Sequence, residues 1–416
     1  MRRRVVAMLL TSACVAWPAA AQARQAHVTG GLVAGLQMDD GSAIYYGLPY
    51  AASPADDRRW TPPAAVQPWA GVRDATRVAP ACVQEDHGWN QGFLEGARED
   101  CLTLSLRTPD PAGTQRLPVL VYIHGGSNAV AGAGSLADEA IHRDGVVLVK
   151  LQYRLGVFGF LGLDALREES AHASSGNYAL LDQIAALQWI RDNIATFGGD
   201  PGNITLNGNS AGALDALWLT LSPLADGLYH KVIVQAAAPG SPRSARANEA
   251  IGDTLLDRLR LPRGPSGLRA LRALPAAQVI AAARQLPVAG SVDPSFLWEQ
   301  MIIDGHVLPR DYANAYQAGA GLDLPTIIGS NRQEMGGDRP AARAPALIAS
   351  AFDGATPDVL ALYGIIDGVV PGDDPLLGSL PMQVVTDAWF RCPASWLSGK
   401  MRTRSSQVWH YEFGFG

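Results

Sequence analysis

The segment from Ser175 to Leu219 admits few folds, and its centre is Gly208-Asn209-Ser210-Ala211-Gly212, a G-x-S-x-G. The β-prone residues Ile204, Thr205 and Leu206 precede it, and a run of helix formers, Ala213 to Leu219, follows. A strand that must reverse into a helix within a few residues needs glycine at the flanks, where a Cβ would clash. Such a turn lifts the Ser210 hydroxyl above the edge of a sheet, as a nucleophile elbow does. It also puts the Ala211 amide at a helix start, where free N–H groups favour a developing negative charge. A bare G-x-S-x-G arises by chance in long chains; the strand before and the helix after give this one its meaning.

The elbow calls for a large α/β core. With 416 residues, 48% apolar and 17% charged, the chain can build one. A net charge of -6, with no basic run interleaved with aromatics, gives no nucleic-acid signature. Arg2, Arg3 and Arg4 precede an apolar run from Val5 to Ala16, and Ala21-Gln22-Ala23 fits a small-x-small cleavage site. This predicts a secretory signal peptide over residues 1–23, its apolar run being too short to span a bilayer. Thr11-Ser12-Ala13-Cys14 is a weak match to a lipoprotein box, with Thr11 in place of the usual leucine, so lipid anchoring is a secondary expectation. No other segment approaches membrane-spanning length, and the expected location is periplasmic or extracellular.

Export changes the meaning of the cysteines. Cys14 leaves with the leader, and in an oxidising compartment Cys82 and Cys101 can close a disulfide loop, which the chain-entropy model values at about 3 kcal/mol. Cys392 is then left over, as a free buried thiol or as a cysteine whose partner lies elsewhere.

Along the chain, His27 to Ser53 alternates apolar segments with glycine turns and predicts an antiparallel meander. The proline- and tryptophan-rich stretch Asp57 to Ala81 predicts ordered loop. Strands are expected at Leu104–Arg107, Pro118–Ile123, Val146–Leu151, Lys231–Gln235, Leu324–Gly329 and Gln407–Phe413. Leu180, Ile184, Leu187, Ile190 and Ile194 recur at helical spacing, so one face of that helix packs on the sheet. Ser241 to Leu286 predicts helix interrupted at Pro262 and Pro265, and Arg339 to Leu377 predicts mixed helix and loop. Strands alternating with helices argue for one mainly parallel sheet flanked by helices, with residues 24–416 forming a single domain. No His/Cys/Asp cluster has metal-ligand spacing, and no phosphate-binding glycine pattern follows a strand, so neither metal nor cofactor is expected.

Taken together, these pieces resemble the type-B carboxylesterases, the branch of the α/β-hydrolase superfamily that includes the cholinesterases. The resemblance rests on GLPYA (47–51), the block from Arg58 to Cys82, EDCLTL (99–104), LPVLVYIHGG (117–126) and YRLGVFGFL (153–161). It continues through residues 176–205, the elbow, DGHVLP (304–309) and IGSNRQE (328–334). It implies a serine carboxylic-ester hydrolase that works through an acyl-enzyme on small or medium esters. In that scheme Ser210 is the nucleophile and Glu334 the acid that orients the base. Gly126, Ser127 and Ala211 give the oxyanion-hole amides, while His124 shapes the Gly-Gly turn. Trp89, in the disulfide loop, is the candidate aromatic wall for substrate, since cholinesterases use a tryptophan there to hold a cationic group.

Three features depart from the family pattern. Asn209 stands where glutamate is usual, so the elbow offers hydrogen bonds but no charge beside a catalytic imidazole. Ser127 replaces a third glycine, which narrows the oxyanion hole. The base is expected on the loop after the last strand, yet after Glu334 the one histidine is His410, inside the expected strand Gln407–Phe413. A mid-strand side chain points across the sheet and not over its edge, so His410 is a poor base. The expectation is therefore an esterase whose catalytic histidine loop and closing helix lie beyond Gly416. The alternative is a non-catalytic, adhesion-type relative; an intact Ser210, oxyanion loop and Glu334 speak against it.

Overall fold

Short apolar runs punctuated by glycine build one mixed sheet. The computed structural model describes residues 24–239, 242–284, 286, 298, 301–321, 323–335, 339–352, 356–402 and 407–414. The expected leader over residues 1–23 lies outside them. The N-terminal meander is β1 (Arg24–Val28), β2 (Gly31–Gln37) and β3 (Ala43–Pro49), each antiparallel to the next. A short β4 (Val72–Asp74) runs along β2. β5 (Thr103–Thr108) is antiparallel to both β3 and β7 (Val147–Leu151).

From β7 onward the sheet is parallel. β6 (Leu117–Ile123) lies between β7 and β8 (Gly199–Asn209), with Val121 opposite Val149 on one side and Leu206 on the other. β9 (Lys231–Gln235) follows. Next come β12 (Thr326–Asn331) and β13 (Val408–Phe413), while β10 (Arg243–Ser244) and β11 (Ile302–Ile303) pair separately. The ends of β6, β8, β9 and β12 therefore face one edge, where open α/β sheets present their ligand sites.

Val119, Val121, Ile123, Leu206 and Val234 are fully buried and join the main core with the helix Tyr178–Asn193. The helix Ala211–Leu219 packs on β6, β8 and β9 and has no exposed residue. Among the described residues no helix is long and apolar enough to cross a membrane.

Three expectations need correction. The stretch Asp57–Ala81 contains β4, a strand invisible to periodicity because all three of its residues are exposed and its pairing is through the backbone. Trp69 anchors the same stretch by donating its indole N–H to the Leu32 carbonyl at 2.8 Å. Pro265 does not interrupt a helix but opens Pro265–Arg272, at a position where its missing N–H costs no hydrogen bond. Cys392 is an exposed free thiol at the start of the helix Cys392–Met401, not a buried one. The disulfide Cys82–Cys101 is formed.

A buried ion pair ties the frame together. Arg154 donates from Nε and Nη2 to the two oxygens of Asp182, each at 2.7 Å, and from Nη1 to the Thr61 carbonyl at 2.8 Å. The guanidinium and carboxylate are 4% and 0% exposed, so removing one partner strands the other away from water. Arg154→Met is expected to lower stability by about 3–5 kcal/mol, read as a fall in the urea midpoint at unchanged slope. An unchanged midpoint would contradict this reading of the pair.

Candidate active site

β8 ends at Asn209, and Ser210 turns the chain into the helix Ala211–Leu219 with φ 55° and ψ −124°. A non-glycine residue persists in this disfavoured region only when its surroundings hold it there. Here the Ser210 N–H donates to the Gln235 carbonyl at 2.9 Å, and its own carbonyl accepts from Ala213 (2.9 Å) and Leu214 (3.1 Å). Both flanking glycines are sterically required. A Cβ on Gly208 would sit 2.0 Å from the Gly212 carbonyl oxygen, and one on Gly212 would sit 2.2 Å from the Ile123 oxygen.

The loop leaving β6 lies directly against this turn. A Cβ on Gly125 would come within 2.7 Å of the Asn209 oxygen and 3.0 Å of the Ser210 Cβ. Gly126 (φ 105°), Ser127 (φ 56°) and Asn128 (φ 53°) then form a left-handed run, closed by Ala129 and Val130 N–H groups donating to the Gly126 carbonyl at 2.9 Å each. Among the described residues the Gly126 and Ser127 amides have no hydrogen-bond acceptor, and Ala211 is the first residue of its helix, where amides lack intrahelical partners. The loop carrying Gly126 and Ser127 thus starts from a backbone that lies against the Ser210 turn, and Ala211 directly follows Ser210.

His124 is buried at the base of this loop. Its ring stacks on Tyr153 with centroids 4.5 Å apart, Nδ1 donates to the Gly125 carbonyl at 2.8 Å, and the Tyr153 hydroxyl donates to the His124 carbonyl at 2.7 Å. Burial pulls its pKa down to about 4, so the ring is neutral at pH 7. These contacts hold the turn in place.

Glu334 follows β12, one strand beyond β9 from the elbow. Its Oε1 accepts from the Asn331 amide at 2.7 Å and Oε2 from Asn331 Nδ2 at 3.1 Å, while its own N–H donates to Thr386 Oγ1 at 3.1 Å. Burial raises its carboxyl above the usual range, and the Asn331 hydrogen bonds oppose the rise. Asn209 is exposed, with Nδ2 3.5 Å from the Gln235 carbonyl.

Trp89 stands out in the disulfide loop at 63% exposure, whereas its neighbour Asn90 is fully buried. Asn90 donates to Gln84 Oε1 (2.9 Å) and the Glu85 carbonyl (2.7 Å). Gln84 in turn exchanges two hydrogen bonds with the backbone of Ala131, at 2.7 and 2.8 Å. The disulfide loop is thereby tied to the end of the loop that carries Ser127.

All eight histidines are described, and none hydrogen-bonds to Ser210 or Glu334. Apart from His124, the clearest placements are His142, bonded to Asp40 at 2.9 Å, His172 stacked on His306, and His230, whose Nδ1 accepts from Ile204 N–H. His410 lies in β13, in register with Ile328, with an exposed side chain. Among the described residues there is no group of three or more side chains fit to hold a metal.

A serine on a strand-to-helix elbow beside free backbone amides is an acyl-transfer arrangement. The model of the carboxylesterase family matches residues 21–349. The chain belongs to the carboxylesterase family. It is 35% identical over 315 residues to the fumonisin B1 esterase of Sphingopyxis macrogoltabida, an alignment that covers 74% of this chain and 56% of that protein. The chain therefore spans little more than half the length of that relative. To carboxylesterase 1D of Rattus norvegicus it is 29% identical over 455 residues, covering 100% of this chain and 80% of the other. The solved structure of PNB esterase superposes with a TM-score of 0.77 at 30% identity, covering 94% of this chain and 80% of that one. Carboxylesterase membership and the fold, an α/β-hydrolase sheet with an antiparallel N-terminal meander, agree with the sequence reading.

Sequence reasoning did not find Asn128, Asp215, Gln84 or Thr386, which hydrogen-bond to the loop after β6, to the helix after Ser210 or to Glu334. One signal was available, because Asp215 is the lone charge in the otherwise apolar helix AGALDALWL. Because buried His124 must charge in acid, its contribution to stability is present above pH 6.5, the unfolded value, and is lost as pH falls toward about 4. The stability difference between the wild type and His124→Asn is expected to shrink by roughly 3 kcal/mol between pH 7 and 4, measured by urea unfolding. A difference independent of pH would contradict the buried, neutral ring.

Proposed function

We propose that this protein is an exported serine hydrolase of small or medium carboxylic esters. Ser210 Oγ attacks the acyl carbon and loses its proton to a base. The Gly126, Ser127 and Ala211 amides hold the tetrahedral oxyanion. The oxyanion then collapses, the alcohol leaves with that proton, and water releases the acid from Ser210 by the same steps in reverse order. Glu334 orients the base, and Trp89 offers an aromatic wall to substrate. The reading is supported by one observation: the Gly125 backbone lies against Ser210, and the two residues after Gly125 have unengaged amides.

Export rests on the leader pattern over residues 1–23 and fits the formed disulfide Cys82–Cys101. Cofactors have no part in this scheme. An adhesion role is not favoured, because the relatives named above are esterases.

With no histidine touching Ser210, the 416-residue chain is expected to respond to an added base. Hydrolysis of p-nitrophenyl butyrate should show a saturable component that grows with imidazole above the solution reaction and disappears in Ser210→Ala. A saturable component that persists in Ser210→Ala would refute the assignment of the nucleophile.

A further inference from the structure

Asp215 is a carboxyl group in a helix whose nine residues are all buried and of which it is the one polar member. Such a group is retained against a desolvation cost only where it is fully engaged. Its Oδ1 accepts from Asn128 Nδ2 at 3.0 Å and its Oδ2 from Gln183 Nε2 at 2.5 Å, and all three side chains are 0% exposed. Asn128 follows Ser127, and both hold left-handed backbone that non-glycine residues avoid. The Asn128 carbonyl accepts from Gly156 N–H at 2.6 Å, and its Oδ1 lies 3.3 Å from the Tyr153 hydroxyl, sharing the proton that this hydroxyl gives chiefly to the His124 carbonyl at 2.7 Å. An ionised carboxylate only accepts, so it fixes which end of the Asn128 amide faces the helix and which faces Tyr153.

Ser210 caps the same helix that carries Asp215. One rigid element thus bears the nucleophile at its tip and, five residues on, the anchor of the loop that must be held at a fixed distance from it. We propose that Asp215 is a positioning residue of the active site: acting through Asn128, it holds the Gly126-Ser127 amides in register with Ser210. This rests on the esterase reading given above. It assigns a role to a residue that touches neither substrate nor Ser210.

What Asp215 contributes is a hydrogen-bond acceptor for Asn128, not its charge. Burial raises the Asp215 carboxyl to about 7, and the hydrogen bonds from Gln183 and Asn128, which favour the accepting carboxylate, oppose the rise. Gln183 Oε1 is buried without a partner, so a flipped Gln183 amide can accept from the carboxamide introduced by Asp215→Asn. That substitution should therefore preserve the network, whereas Asp215→Ala strands the Asn128 and Gln183 donors.

The test measures kcat and KM for p-nitrophenyl butyrate, with imidazole, per folded chain in wild type, Asp215→Ala, Asp215→Asn and Asn128→Ala. Losing one oxyanion donor costs about 10²–10³-fold in kcat. Partial loss of register in Asp215→Ala and Asn128→Ala is thus expected to lower kcat by roughly 30-fold or more, with KM within about 3-fold, while Asp215→Asn stays within about 3-fold of wild type in both. A second readout does not depend on hydrolysis: amide exchange of segment 124–131 should speed up by about tenfold or more in Asp215→Ala and Asn128→Ala, while helix 245–259 is unchanged. Should Asp215→Ala fail to fold, Asn128→Ala decides. Wild-type kcat and exchange in the folded Ala variants, or Asp215→Asn as impaired as Asp215→Ala, would overturn the proposal. An inactive wild type would overturn the esterase reading alone, with exchange still deciding the role of Asp215.

Discussion

Everything at this site depends on backbones approaching more closely than a Cβ permits. The helix that follows Ser210 crosses the end of β6 so tightly that a methyl on Gly212 would lie 2.2 Å from the Ile123 oxygen. The strand entering the turn and the loop leaving β6 are held to the same tolerance at Gly208 and Gly125. Three glycines from two segments therefore hold the Ser210 turn against the start of the loop of free amides. Catalysis of acyl transfer is dominated by such preorganised donors, which pay no reorganisation cost during the reaction.

Close approach alone would not keep the loop in place. Gly126, Ser127 and Asn128 form a consecutive left-handed run that relaxes unless braced. The bracing comes from several directions. His124 and Tyr153 support it at the strand end, and Gln84 ties its far side to the disulfide loop. Asn128 reaches inward to Asp215 and Gln183. Thr386 performs a similar service for the backbone of Glu334. The strain is confined to a few residues, and buried polar groups on rigid elements hold it there, as expected of a functional site.

How much of this was legible in the sequence follows from how local each signal is. The bounds of Lys231–Gln235 are legible because the run is too short for a helix and its centre, Val232-Ile233-Val234, is β-branched. The glycines of the elbow were legible because their need arises within five residues. β4 was not, since its pairing is through an exposed backbone and leaves no periodic trace. The Asn128–Asp215 contact joins residues 87 positions apart, and no pattern within either segment announces it. Asp215 could have been flagged as a charge on a buried helix, but its partner could not. Of the two sequence alternatives for Cys392, the buried thiol does not hold, because burial of a helix start depends on what packs over it.

The central claim is that Ser210 is the acyl acceptor. The most direct measurement is an acid quench of the chain after brief exposure to p-nitrophenyl acetate with imidazole, followed by peptide mass mapping. The account predicts one acetyl group per chain on the peptide containing Ser210, absent from Ser210→Ala. Acetylation only at other side chains, equal in wild type and Ser210→Ala, would contradict it.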